Sequence, residues 1–370
     1  MKKLSRRPLR DVQLFTDKET GADMIGTEFL YGFGLGNQLF WYVTARAAAL
    51  DHGCDFGICN PEALANNMHS KSGMYFMDID LGKTIPEEDK KKYRIFEDHD
   101  VRLYLGNSRH DMTHGAYISG VDPEFTDIQD NTLLYGNLQA EAYFDKYKEQ
   151  IKEWLRVKPE YDSHEYTKDN LCIIHLRCGD YSNSPELWLD RKYWVNGIHQ
   201  MRKIRSDMEF LAVTDDVEAA HKILPEIKAI RNDIGKDYAT IKNARYLLLS
   251  NSSFAVFPAM TSDTLQYAIA PKYWARHNVS DGYWASEQNI YSFLHYMDRK
   301  GKIFTPEECR TELELYKSKS SVYQKRNQRP GKVRSFFQKI RAKYLYSIYM
   351  GRKIWRSLER RTGLIKVFHV

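Results

Sequence analysis

Acidic side chains almost vanish from the end of this sequence, the cysteines are few, and long apolar runs are missing. Residues 317–370 hold 16 Lys and Arg and a single acid, Glu359, for a balance of +15, while residues 1–316 carry −9. A mildly acidic globule with a strongly basic tail is expected. Such a tail meets anionic lipid or nucleic acid, or is simply solvated. The five cysteines, Cys54, Cys59, Cys172, Cys178 and Cys309, are odd in number and form no CxxC. That excludes a disulfide framework and a cysteine zinc site and fits reduced thiols in a cytosol. No run of about 18 apolar residues exists, so no spanning helix is expected. The basic start MKKLSRRPLRDVQLF lacks the apolar segment of a secretory signal.

What is present is enough for real cores: 42% of the residues are hydrophobic, and 370 residues can hold two domains of ordinary size. The centre of the sequence is LCIIHLRCGDY, 171–181. Its apolar start is that of a buried parallel strand, and alternation puts His175 and Arg177 on one face at the strand's C-terminal end. Ligands bind at that end of open α/β sheets. A guanidinium fork there suits phosphate oxygens, with a structural ion pair as the competing reading. Gly179 allows a sharp exit.

Residues 1–25 are read as a polar lead-in. A first strand over Thr27–Tyr31, the loop GFGLGNQLF at 32–40, a helix through about Asp51 and a strand over Asp55–Cys59 follow. Asn37 stands where the third glycine of a dinucleotide fingerprint would be, and no P-loop Lys-Ser/Thr follows. What remains is a turn presenting backbone N–H groups, with Asn37 and Gln38 at a helix N-terminus, fit for an anion or sugar hydroxyls. Asp78 and Asp80 form a DxD, as in metal-holding sugar transferases, but on an alternating run where two acids on one strand face are usually surface. Thr132–Tyr135 reads as a strand and 140–157 as one helix.

The second half alternates strand and helix, which implies a parallel sheet covered on both faces. Expected strands are Leu171–Arg177, Glu209–Thr214, Lys228–Arg231, Tyr246–Ser250 and Tyr267–Ala270. Expected helices are Arg191–Ile204, Val217–Leu224, Asp237–Ala244, Ser252–Met260 and Glu287–Arg299. At the end of the second of these strands, Asp215 or Asp216 can accept from ribose hydroxyls or a guanine edge, or serve as a plain helix cap. After the fourth, Asn251, Ser252 and Ser253 form either a phosphate cradle or a serine cap. The reading divides the chain into 1–25, a first domain 26–165, a second domain 166–316 and a tail 317–370. Two facing nucleotide-fold domains would hold a ligand in the cleft between them. In the tail, residues 332–361 read as an amphipathic helix, basic on one side and aromatic on the other, suited to an anionic membrane surface, with a solvated arm or a partner-binding helix as the competing readings. Nucleic acid is disfavoured because the globular part shows no basic patch.

Three segments occur in order at domain-scale spacing: GFGLGNQLF, HLRCGDY and, about 70 residues on, SNSSF. Together with LYGNLQAEAYF at 134–144, they resemble the α-1,2-fucosyltransferase family, glycosyltransferase family 11, over roughly residues 27–300. The sequence departs from the family pattern at Cys178, where a second Arg is usual, and at Val256-Phe257, where an aromatic pair is usual. The resemblance implies a GT-B fold, a GDP-L-fucose donor, inversion at the anomeric carbon, no metal or other cofactor, and a glycan acceptor, free or lipid-linked. It also implies that Arg177 holds the β-phosphate, His175 helps place the nucleotide, and Ser252 and Ser253 bond the diphosphate. Asn37 and the backbone of Gly34–Gly36 would face the fucosyl group and phosphates, and Asp215 or Asp216 would touch guanosine. An attacking hydroxyl needing a base would find Asp180 first in sequence and Glu186 second. With the tail, this suggests surface-polysaccharide assembly at the cytoplasmic face of a membrane. The rivals are a transferase for another GDP-sugar and an inactive protein that only binds sugar nucleotides.

Overall fold

The computed structural model describes residues 23–66, 73–98, 101–103, 116–118, 120–184, 187–278, 284, 287–319 and 331–362. The polar lead-in up to residue 22 and Glu186 lie outside the described residues. The first half contains β1 (Met24–Glu28), α1 (Leu35–His52), β2 (Asp55–Cys59), β3 (Lys83–Thr84), β4 (Arg94–Glu97), β5 (Val101–Leu103), β6 (Ala116–Ile118), β7 (Thr132–Tyr135) and α2 (Lys148–Trp154). Five of its strands form one sheet in the order β3-β2-β1-β7-β4, parallel throughout. β5 and β6 pair antiparallel apart from it.

The second half runs β8 (Leu171–Leu176), α3 (Arg191–Ile204), β9 (Glu209–Thr214), α4 (Val217–Ile223), β10 (Lys228–Ile230), α5 (Ile234–Lys242), β11 (Tyr246–Leu249), α6 (Val256–Met260), β12 (Tyr267–Pro271), β13 (His295–Met297), β14 (Ile303–Phe304) and α7 (Pro306–Lys319). Its sheet has the order β10-β9-β8-β11-β12-β13-β14, parallel except for the last pair. The first six strands follow the doubly wound order of a dinucleotide-binding sheet. β8 can be apolar in all but His175 because every residue in it is buried. α3 covers the sheet through Tyr193, Trp194, Ile198 and Met201, one stripe at helical spacing, and begins where Asp190 caps the Tyr193 N–H. Helix α8 (Lys332–Thr362) follows beyond residue 330.

The halves are not loosely hinged. One apolar cluster runs from Ile25 through Leu39 and Phe40 to Phe257 and Tyr291. The Phe40 ring lies 4.7 Å from that of Phe257 and 6.1 Å from that of Tyr291. Glu141, nearly buried on the first half, accepts from the Ser292 N–H at 2.8 Å and pairs with Arg310 at 3.0 Å on the second.

Several expectations need correction. β1 starts at Met24, three residues early, so residues 24 and 25 belong to the sheet rather than the lead-in. Helix α1 begins at Leu35 and takes LGNQ into its first turns, with Gly34 as its extended N-cap. Residues 140–157 are not one helix: two 3-10 turns precede α2, because Phe144 leaves helical geometry at φ −143°. Buried Tyr143 donates to Asp98 at 2.8 Å, and that tertiary bond outweighs local propensity. Glu287–Arg299 is not a helix; it ends in β13. The fully buried Tyr296 hydroxyl donates to the Asn289 carbonyl at 2.8 Å and accepts from the Tyr291 N–H at 2.6 Å, which holds the chain in turns before the strand. Ser252–Met260 likewise divides into a 3-10 turn and the short α6.

Candidate functional site

In a doubly wound sheet a crevice opens where the strand order reverses, here between β8 and β11 at their C-terminal ends. A cavity of about 290 Å³ lies there. One wall is the loop before α1 and its first turn, Gly32–Asn37. The other comes from the exits of β8 (His175, Arg177, Asp180), β9 (Thr214, Asp215) and β11 (Ser252, Ser253), with Arg231, Asn232 and Asp237 beyond β10.

Arg177 dominates the charge. Its guanidinium pairs with Asp215 at 2.7 Å and Asp180 at 2.6 Å, and its centre lies 5.5 Å from the Tyr181 ring centroid. The two acids differ in exposure. Asp215 is only 18% exposed and also accepts the Cys178 N–H at 2.7 Å, whereas Asp180 is 59% exposed on a 3-10 turn. Asp215 therefore fixes the guanidinium, and Asp180 covers its other edge in an exposed pair that costs little to open. Gly179 is required here because a Cβ would strike the Asp215 carboxylate.

His175 contributes no charge. Burial, with Arg177 nearby, pushes its pKa down to about 3. Its Nδ1 lies 3.3 Å from the Ser250 hydroxyl, so it acts as a neutral hydrogen-bonding ring. Asp237 shows the opposite shift: burial raises it to about 6, against hydrogen bonds from Asn232. Asn232 Nδ2 reaches its Oδ1 at 2.9 Å. The Cys178 thiol is pushed up to about 12 by burial, which makes it inert.

The two walls nearly touch. A Cβ on Gly36 would come up against the Phe254 nitrogen and lie 2.6 Å from the Ser253 carbonyl oxygen. Gly34 faces open space. The first N–H groups of a helix have no carbonyl four residues back, so α1 offers those of Leu35 and Gly36 to this cavity, while the Asn37 N–H is held by the Gly34 carbonyl at 3.1 Å.

The structure thus brings Gly34, Gly36, Asn37, His175, Arg177, Asp180, Asp215, Ser252 and Ser253 together. Two expected residues are not on this wall. Asp216 accepts from the Ala219 N–H at 3.0 Å and caps α4, so the plain cap reading holds for it. Asn251 is buried and donates to the Leu187 carbonyl at 3.2 Å, tying the exit of β11 to the segment before α3. Gln38, beside Asn37, turns inward and bonds Leu30, Ala63 and Ala65. Asp78 and Asp80 pair with Arg156 and Arg46, away from the cavity. Among the described residues no group of three or more His, Cys, Asp or Glu is arranged to hold a metal ion.

Sequence reasoning missed Arg231, Asn232 and Asp237, which belong to no motif, and it missed Gln139. The Gln139 amide donates to Asn37 Oδ1 at 3.0 Å and accepts from Gln288 and Asn289, each at 3.1 Å. With its oxygen so engaged, Asn37 has its NH₂ left as the group to offer a ligand.

The family model for glycosyl transferase family 11 matches residues 28–292. No curated protein matches the chain. Among solved structures, the fucosyltransferase NodZ from Bradyrhizobium is 12% identical over 66% of this chain and 93% of its own, with a TM-score of 0.39. POFUT1, solved in complex with GDP-fucose, is 11% identical over 67% of this chain and 98% of its own, at 0.34. A glycosyl transferase family 9 protein from Veillonella parvula is 10% identical over 80% and 98%, at 0.38.

Proposed function

The chain belongs to glycosyl transferase family 11, and from that premise we propose that it is an inverting enzyme moving L-fucose from GDP-L-fucose to a glycan hydroxyl. Membership in the family makes it a sugar transferase. The finer reading is a GT-B enzyme of two Rossmann-like domains, 26–165 and 166–316, with the donor at the reversal point of the second. The observation that carries it is Arg177, at the mouth of the sheet and across the cavity from the Gly34–Asn37 loop.

In this reading the donor diphosphate displaces Asp180 from Arg177 and takes the vacated edge of the fork. The guanidinium stays fixed by Asp215 and meets the charge that builds on the β-phosphate as GDP leaves. Ser252, Ser253 and the first N–H groups of α1 supply further donors, and the transfer needs no metal. Asp180, released at the same moment, becomes a free carboxylate beside the reacting centre and takes the proton of the attacking hydroxyl. Binding of the donor thus uncovers the base. The Asn37 NH₂, oriented by Gln139, bonds the sugar or a phosphate oxygen. Gln139→Leu is expected to lower kcat about ten- to hundredfold through misplaced Asn37, with little change in acceptor KM. Steady-state kinetics on the folded variant check this.

Asp237 is the residue this reading assigns to guanine, in place of Asp216. Its ionised carboxylate accepts from the N–H edge of the base. Because its pKa in the free protein is about 6, binding that requires the ionised form weakens below that pH. GDP affinity is expected to fall about tenfold per unit as pH drops below 6 and to level off above it. Calorimetry across pH 4.5–8 checks this, and Asp237→Asn should flatten the profile.

The acceptor is read as an oligosaccharide or lipid-linked glycan of a surface polysaccharide. An anionic membrane surface at the cytoplasmic face would be met through residues 332–361. A panel of sugar nucleotides with product detection tests the whole reading. GDP release with fucosylated product is expected from GDP-fucose. Turnover of GDP-mannose alone favours another GDP-sugar, and GDP binding without any turnover favours an inactive binding protein.

A further inference from the structure

The C-terminal helix α8 presents two faces that nothing in the catalytic reading uses. Val333, Phe336, Phe337, Ile340, Tyr344, Ile354, Trp355 and Leu358 are all exposed, from 49% to 73%. At 100° per residue these positions fall within an arc of about 120°. Lys332–Thr362 holds ten Lys and Arg against Glu359 alone, and every one of the ten lies outside that arc. The helix is about 46 Å long, yet no described helix is long and apolar enough to cross a membrane. Apolar residues along one side and cations on the rest describe a helix that lies in an interface.

We propose that α8 docks the protein flat on an anionic lipid bilayer. The apolar arc enters the headgroup boundary, and the flanking cations meet lipid phosphates. Charge favours this occupant and sets the orientation. Residues 1–316 carry −9 and are repelled by such a surface, so only the tail is drawn to it. Nucleic acid would use the cations but leave eight apolar side chains in water, and a second copy of the helix would bring like charges together. The helix also passes against the Asp180–Asn183 turn, which forms part of the cavity's rim. Docking therefore brings the pocket close to the lipid surface, and a lipid-borne acceptor reaches the turn that carries Asp180. This last consequence rests on the transferase reading; the docking itself does not.

The test is co-sedimentation of the full chain with vesicles of phosphatidylcholine alone or with about one third phosphatidylglycerol. The expected result is binding to the anionic vesicles only, reversed by high salt. Lys339→Gln/Arg341→Gln/Lys343→Gln should bind about 100-fold more weakly. Phe337→Glu/Tyr344→Glu/Trp355→Glu should bind as weakly, and both variants should keep wild-type donor turnover on a soluble acceptor. Equal binding to neutral vesicles, no binding to anionic ones, or unchanged binding by the cation variant overturns the proposal. So does a wild-type dimer that the Phe337→Glu/Tyr344→Glu/Trp355→Glu variant dissolves, since a second copy would then cover the face. Vesicle binding is read without sugar nucleotide, so a failed donor panel leaves it standing. Vesicle binding without preference for a lipid-borne acceptor would remove only the link to Asp180.

Discussion

Arg177→Ala is expected to lower kcat for sugar transfer about 10²–10³-fold with the protein still folded. The reason is where the charge goes. In the proposed mechanism negative charge moves to the β-phosphate as the bond to the anomeric carbon breaks, and a guanidinium already oriented by Asp215 meets it without reorganisation. Arg177→Lys should recover little, because an ammonium cannot hold Asp215 and a phosphate with one planar fork. The stability cost is bounded: Asp180 is exposed, and Asp215 keeps the Cys178 N–H, so the fold survives loss of the cation. Asp180→Asn separates the two roles of this turn. It removes the competitor for Arg177 and should tighten GDP binding, while it removes the base and lowers transfer. Calorimetry with GDP and single-turnover kinetics check both halves. Near-wild-type turnover in folded Arg177→Ala would defeat the mechanism.

The second large effect is expected from one methyl group. Gly36→Ala puts a Cβ against the Ser253–Phe254 backbone, where neither side is a flexible chain end. The first turn of α1 must move away from the β11 exit, and the two walls of the cavity separate. The expected loss is about 1–3 kcal/mol of stability together with most donor affinity. Ala is the better helix former by about 1 kcal/mol, so a destabilised variant cannot owe its loss to helix propensity. Gly34→Ala is the control. It faces open space, so its cost is only the N-cap preference for Gly over Ala, roughly up to 1 kcal/mol, although its new methyl group still meets the donor. Denaturant unfolding and GDP titration of both variants read the difference.

These two residues also show what was legible in the sequence. Arg177 and Gly36 sit in short runs whose chemistry is local: an apolar strand ending in HLRCGDY, and a glycine loop opening a helix. The strands at the β8, β9 and β11 exits were legible for the same reason, since burial on both faces demands continuous apolar runs. Asp237 and Asn232 were not, because they lie on the β10–β11 connection, and only the position of β10 beside β9 brings its exit to the cavity. Gln139 lies 102 positions from Asn37, and no pattern signals an amide bond over that distance. Asp215 and Asp216 are adjacent and chemically alike; only the fold decides that one holds Arg177 and the other caps α4. The error over Glu287–Arg299 has the same origin. Its apolar residues mimic a helical stripe, but Tyr291 and Tyr296 are spaced to close a turn and extend a sheet.

The central claim is that a diphosphate takes the edge of Arg177 that Asp180 occupies in the free protein. A crystal structure of the GDP complex measures it. The predicted result is the guanidinium on the β-phosphate, Asp215 still in place and Asp180 released toward the cleft. GDP bound with its phosphates away from Arg177, or Arg177 still clamped by Asp180, would contradict it.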